Sequence, residues 1–216
     1  MKTISRREIL RYLGHRGPET SEMEAMITAA LKRLEEKVQP RSTWRIVPLE
    51  KDEEGFTVEG CRLSGNSLAV NLSGCTRIAL MACTLGGEAD RLIAREQLKS
   101  MYGAAVMNAC ANAMIEACCD EVNVQIKAEA AAEGDYCRPR YSPGYGDLPL
   151  FFQKDFFRLL PVTKEIGVEL KESMLMVPEK SVTALIGMSR TDSRCTLSGC
   201  EACSAKETCG YSRMEK

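Results

Sequence analysis

The chain has 216 residues, with 29 lysines and arginines against 30 aspartates and glutamates, for a formal charge of −1. That balance excludes the basic excess of a general nucleic-acid binder, and 44% hydrophobic with 27% charged residues fits a globular protein large enough to fold without staples. Eleven cysteines accompany a single histidine and a single tryptophan, an imbalance that needs an explanation.

The first ten residues, MKTISRREIL, carry charge without a following apolar run of signal length. No stretch reaches the roughly eighteen apolar residues of a membrane span. The expected setting is cytoplasmic, where thiols stay reduced, so the odd cysteine count does not predict a disulfide framework. Cys61, Cys75, Cys83, Cys110, Cys118 and Cys119 fall in apolar stretches and read as small core hydrophobes.

Ser5-x-x-Glu8 is a capping box ahead of Ile9, Leu10 and Leu13, and Gly14 with Gly17-Pro18 stops that short helix. Ser21-x-x-Glu24 is a second capping box. Met23, Met26, Ile27, Ala30, Leu31, Leu34 and Val38 follow at helical spacing until Pro40. Trp44, Ile46 and Pro48 alternate like a strand, and Asp52–Gly55 is a turn before a returning strand with Phe56 and Val58. Leu68 and Leu72 predict a short helix.

Residues 77–84, RIALMACT, predict a strand buried on both faces. A helix is expected from Glu88 to about residue 100, then an interruption at Gly103, then a long helix from Ala104 to about Ala132 with an alanine, methionine and cysteine face. Residues 133–150, rich in glycine and proline, read as an irregular loop. Phe151–Leu160 predicts a short aromatic helix. The runs SMLMV and SVTALIGMS, separated by Pro178-Glu179-Lys180, predict a hairpin. Helices, strands, helices and strands in that order favour α+β, a twisted antiparallel sheet flanked by helices.

The loop around Arg140 carries the chemistry. Arg138 and Arg140 flank Pro139, and Tyr141, Pro143, Gly144 and Tyr145 follow. Proline stiffens such a loop, glycine permits close approach to a ligand, arginine offers a planar fork to a carboxylate, and tyrosine offers a ring and a hydroxyl. That set suits a zwitterionic or nucleoside-like small molecule. The bland alternative is a rigid surface loop. His15, beside Arg16 and Gly17 after the first helix, reads as a surface or packing residue, and Cys137 reads as a packing thiol beside the arginine loop.

Arg140-Tyr141-Ser142-Pro143-Gly144-Tyr145 resembles the R-x-x-P-G-Y segment of the activation (reactivation) domain of cobalamin-dependent methionine synthase. Residues 166–178 resemble that family's I-G-V-x-L-x-E-S-x-x-M-x-P stretch, and Ser181-Val182 continues it. Arg11-Tyr12-Leu13-Gly14 and Thr84-Leu85-Gly86 resemble stand-alone relatives. The resemblance covers residues 4–190, which divides the chain into an activation-like domain, 1–190, and a cysteine-rich tail, 191–216.

The resemblance implies an S-adenosylmethionine site. Arg140 would take the methionine carboxylate, Ser142 would contribute its backbone, Gly144 would allow close approach, and Tyr145 would pack on the ligand or hydrogen-bond to it. Glu172 and Ser173, at the start of the E-S-x-x-M strand, would contact the ligand or support the loop. Gly146-Asp147-Leu148-Pro149 departs from the family's P-A-C-P and keeps only the last proline.

The implied role is an accessory subunit. It would present S-adenosylmethionine to inactive cob(II)alamin on a corrinoid-bearing methyltransferase, a methionine synthase, while flavodoxin or ferredoxin supplies an electron. The chain lacks the D-x-H-x-x-G signature for a cobalamin's lower ligand, so the corrinoid belongs to the partner. A redox reactivator for another corrinoid methyltransferase and a non-enzymatic metal-binding adaptor are the competing readings.

The tail places Cys195, Cys200, Cys203 and Cys209 within fifteen residues, among small, polar and charged neighbours. One C-x-x-C with two outlying cysteines fits a tetrahedral zinc site or an iron–sulfur cluster. The cluster is favoured only because reactivation needs an electron.

Overall fold

The computed structural model describes residues 4–192. The fold is α+β, built on a four-stranded antiparallel sheet of order β1-β5-β9-β6. Strand β5 (Arg77–Thr84) pairs along its whole length with β1 (Arg41–Pro48) on one side and β9 (Ser181–Ser189) on the other. The two-residue β6 (Tyr136–Cys137) closes the far edge against Ser189 and Met188.

The two inner strands are buried from both sides, which is why RIALMACT reads as a continuous apolar run rather than an alternating one. Ala79, Met81 and Cys83 enter one core, whereas Ile78, Leu80 and Ala82 enter the other. Helices α1 (Arg6–Tyr12), α2 (Ser21–Lys37), α4 (Gly87–Gln97) and α5 (Met101–Ala132) cover the first face. The second face is covered by α3 (Asn66–Asn71), α6 (Gln153–Leu159), α7 (Val162–Ile166) and a three-stranded meander. The meander runs β2 (Glu50–Asp52), β3 (Gly55–Val58) and β4 (Cys61–Leu63). Each fully buried Ile, Leu or Met in these cores contributes about 1.5–3 kcal/mol.

Local chemistry sets the ends of the elements. Ser5 caps α1 by accepting from Glu8 N–H at 3.4 Å. The cap of α2 lies one residue before the Ser21-x-x-Glu24 box: Thr20 accepts from Met23 N–H at 3.2 Å. Gly103 does not interrupt the long helix. Ser100 caps α5 by accepting from Gly103 N–H at 3.0 Å. A side chain at Gly103 would come within 3.0 Å of Glu96 Oε1, so the glycine permits the tight α4–α5 corner. Among the described residues, six of the seven cysteines are buried and none is in a disulfide. Burial pushes Cys110 up to about 12 and Cys118 up to about 11, consistent with core packing rather than reactivity.

Two further sequence expectations are corrected. The runs around Pro178 do not form a hairpin. Met176–Val177 is β8, which pairs with β7 (Glu169–Leu170), while β9 pairs with β5 and β6. The strand after Pro178 belongs to the central sheet, where its mainly apolar run is buried from Thr183 to Ser189 by cover on both faces. The 133–150 segment is also not wholly irregular. It holds β6, and Tyr141 bridges Leu185. The tail thiols Cys195, Cys200, Cys203 and Cys209 lie outside the described residues.

Candidate functional site

Residues 138–148 leave the edge of the central sheet and fold into consecutive turns. The segment is fixed from both ends. Arg138 N–H donates to Gly187 C=O at 2.8 Å, and Tyr141 exchanges two backbone hydrogen bonds with Leu185 at 2.9 and 2.8 Å. Arg138 itself is buried and donates from Nη2 to Ser73 C=O at 2.9 Å, so it anchors the loop to the second face.

Beyond Tyr141, the turns close through Tyr145 N–H to Ser142 C=O at 3.0 Å and Gly144 N–H to Leu148 C=O at 2.8 Å. Gly144 has φ +85°, and a Cβ there would lie 3.1 Å from Leu150 Cδ1. Gly146 has φ +56°, and a Cβ there would lie 2.1 Å from the Tyr141 hydroxyl oxygen. Both positions therefore require glycine.

Asp147 explains the departure from P-A-C-P. Its Oδ2 accepts from Ser67 N–H at 2.6 Å and its Oδ1 from Leu68 N–H at 3.3 Å, capping α3 from across the chain. Gly65 at the start of α3 has no side chain to do this. Asp147 Oδ1 also accepts from the Tyr141 hydroxyl at 3.0 Å. Burial pushes the Asp147 pKa up, but the hydrogen bonds from Ser67, Tyr141 and Leu68 outweigh it and hold the carboxyl below its usual value. The Tyr141 and Tyr145 rings meet edge to face at 5.3 Å. Tyr145 stays exposed and Ser142 half-buried.

Arg140 reaches the other way, to α5. Its Nη2 donates to Glu116 Oε2 at 3.2 Å and Asp120 Oδ1 at 3.0 Å. Its Nη1 is buried and has no hydrogen-bond partner among the described residues. Half of the guanidinium fork is therefore unused. Glu116 and Asp120 were not singled out from the sequence. Their i,i+4 spacing puts both on one helix face, a signal that becomes informative once the arginine loop packs there.

Glu172 and Ser173 occupy the turn between β7 and β8 rather than a strand, and both are exposed. No hydrogen bond, ion pair or ring contact among the described residues joins them to the Arg140–Tyr145 segment. His15 Nε2 lies 3.1 Å from Pro18 C=O, a local loop contact. Cys137 packs partly buried against the helix-side core, and burial pushes its thiol pKa up.

These residues can complement a zwitterion: an arginine with a free donor, two carboxylates on the adjoining helix, a glycine-dependent turn and an exposed tyrosine ring. No helix among the described residues is long and apolar enough to cross a membrane.

A family model described as the vitamin B12 dependent methionine synthase activation domain matches residues 68–199, more than half of the chain. A solved structure, the crystal structure of the MetH reactivation domain bound to AdoHcy, is similar with a TM-score of 0.61. The match has 22% sequence identity over 80% of this chain and 67% of that chain, and establishes likeness of fold. No curated protein matches. The matched span includes the Arg140 loop, its anchor strand β9 and the acidic helix face, and the chain belongs to the vitamin B12 dependent methionine synthase activation domain family.

Proposed function

We propose that the chain binds S-adenosylmethionine at the Arg140 loop and supports reductive methylation of a corrinoid held by a partner methionine synthase. The observation that carries this reading is the half-used Arg140 fork beside Glu116 and Asp120. A ligand carboxylate completes the fork, and the two acids receive the α-ammonium. Gly144 brings the backbone close to the ligand, Ser142 contributes main-chain contact, and Tyr145 supplies a stacking face. Glu172 and Ser173 take the smaller share, touching the ligand or partner from the second turn. The crystal structure of the MetH reactivation domain, bound to AdoHcy, supports a ligand of this class on this fold.

S-adenosylmethionine supplies an already activated sulfonium methyl, and the partner's cobalamin accepts it. The chain's own residues therefore bind and orient, and need no acid or base. That agrees with a site built from one arginine, two carboxylates and no histidine.

The test is methyl transfer in trans. The full chain is mixed with methyl-labelled S-adenosylmethionine, a chemical reductant and a corrinoid-bearing methionine synthase that lacks an activation domain. Label on the corrinoid is expected; reduction without label transfer overturns the reading.

From the sequence, we further propose that Cys195, Cys200, Cys203 and Cys209 ligate one metal centre. An iron–sulfur cluster there would make the chain a redox reactivator with its own electron relay, for ferredoxin or flavodoxin to reduce. Anaerobically purified protein that is brown and bleaches on reduction supports the cluster. Colourless protein with one zinc per chain supports a structural zinc, and metal-free protein overturns both.

A further inference from the structure

Glu116 faces a second space besides the arginine loop. A cavity of about 280 Å³ opens between α1, α5 and the start of β9. Its polar wall includes Tyr12, Glu116, Glu179 and Lys180, and its apolar wall is Ile115 and Val182. At about 30 Å³ per water it holds several waters or one small molecule.

The polar groups are incompletely used. Lys180 is half-buried, and its ammonium makes no hydrogen bond or ion pair at bonding distance among the described residues. Burial pulls its pKa down, and the fields of Glu179 and Asp90 only partly restore it. Asp90 Oδ2 accepts from the Glu179 backbone N–H at 2.9 Å, while its buried Oδ1 has no hydrogen-bond partner among the described residues. Glu116 gives Oε2 to Arg140 at 3.2 Å. Burial and the negative field of Glu116 push the Tyr12 pKa up, so its phenol stays protonated and able to donate.

A lone anion entering this space meets Glu116 and Glu179, and a lone cation meets Lys180. A molecule carrying both charges satisfies each wall. We infer that this cavity binds a small zwitterion of the α-amino acid class. Its carboxylate lies on Lys180 and Tyr12, its ammonium on Glu116 and Glu179, and an unbranched side chain lies along Ile115 and Val182. The inference does not rest on the S-adenosylmethionine reading, although the two sites share Glu116.

An NMR titration of the full chain with L-norleucine, hexanoate and pentylamine tests this. Norleucine is expected to shift the Ile115 and Val182 methyl signals saturably, with one site per chain. The two single-charge analogues should bind at least about tenfold more weakly. Lys180→Met should weaken norleucine by about tenfold. Tyr145→Ala should leave norleucine binding within about twofold while weakening S-adenosylmethionine. Absence of saturable shifts, equal affinity for the three probes, or unchanged binding in Lys180→Met overturns the inference. Norleucine binding lost in Tyr145→Ala instead assigns it to the arginine loop and also overturns it.

Discussion

Two turns stand out in the sequence by similar motif logic, but the fold treats them differently. The 138–148 loop is tied to β9 by backbone hydrogen bonds, to α3 through Asp147 and to α5 through Arg140. The turn at 171–175 is closed by its own backbone, with Lys171 N–H to Leu175 C=O and Met174 N–H to Lys171 C=O, both at 2.9 Å. Its two marked residues, Glu172 and Ser173, face solvent. A ligand site needs side chains held in place before the ligand arrives, and only the first loop has three separate anchors. The contrast supports the proposal that the Arg140 loop binds and that the second turn has a lesser role.

The largest effect should come from Gly146→Ala. Its Cβ would overlap the Tyr141 hydroxyl at a positive φ. Overpacking and left-handed strain together should cost about 2–4 kcal/mol, read as a lowered urea midpoint. A midpoint unchanged within error would mean that the loop is not anchored through Tyr141.

Asp147→Ala should cost about 1–2 kcal/mol, because it removes the α3 cap and the acceptor of the Tyr141 hydroxyl. The sign with pH follows from the lowered Asp147 pKa. Its stabilisation is full above the unfolded value of about 3.9 and is lost as pH falls through the lower folded value. Wild-type stability should therefore fall more steeply below about pH 4 than that of Asp147→Asn. Parallel curves for the two proteins would contradict this.

Arg140→Ala should change stability by less than about 1 kcal/mol, since its ion pairs are partly exposed. Glu172→Ala and Ser173→Ala should each fall within about 0.5 kcal/mol, since both are exposed and neither has a partner among the described residues. A loss above about 2 kcal/mol in either would place hidden structure in the second turn.

Much of the fold was legible because the chemistry is local. Ser5 caps α1, RIALMACT is a doubly buried strand, and the scattered cysteines fill the cores. The features that were not legible depend on distant partners. β6 is two residues long and lies amid glycine and proline, and only Met188 and Ser189 make it a strand. Pro178 between two apolar runs imitates a hairpin turn, but the run after it is claimed by β5. At the site, Arg140 was legible from its motif. Glu116 and Asp120, lying 24 and 20 residues upstream, were not, because loop-to-helix packing has no sequence period. Asp147 looked like a departure from the family pattern, and its role as a remote cap appears only when α3 lies beside it.

The most direct test is calorimetric titration of S-adenosylmethionine into the wild-type full chain, Arg140→Ala, and the Glu172→Ala/Ser173→Ala double variant. The account predicts saturable wild-type binding, weakened by about 10–100-fold in Arg140→Ala and by no more than about threefold in the double variant. Unchanged affinity in Arg140→Ala, or a larger loss in the double variant, would contradict it.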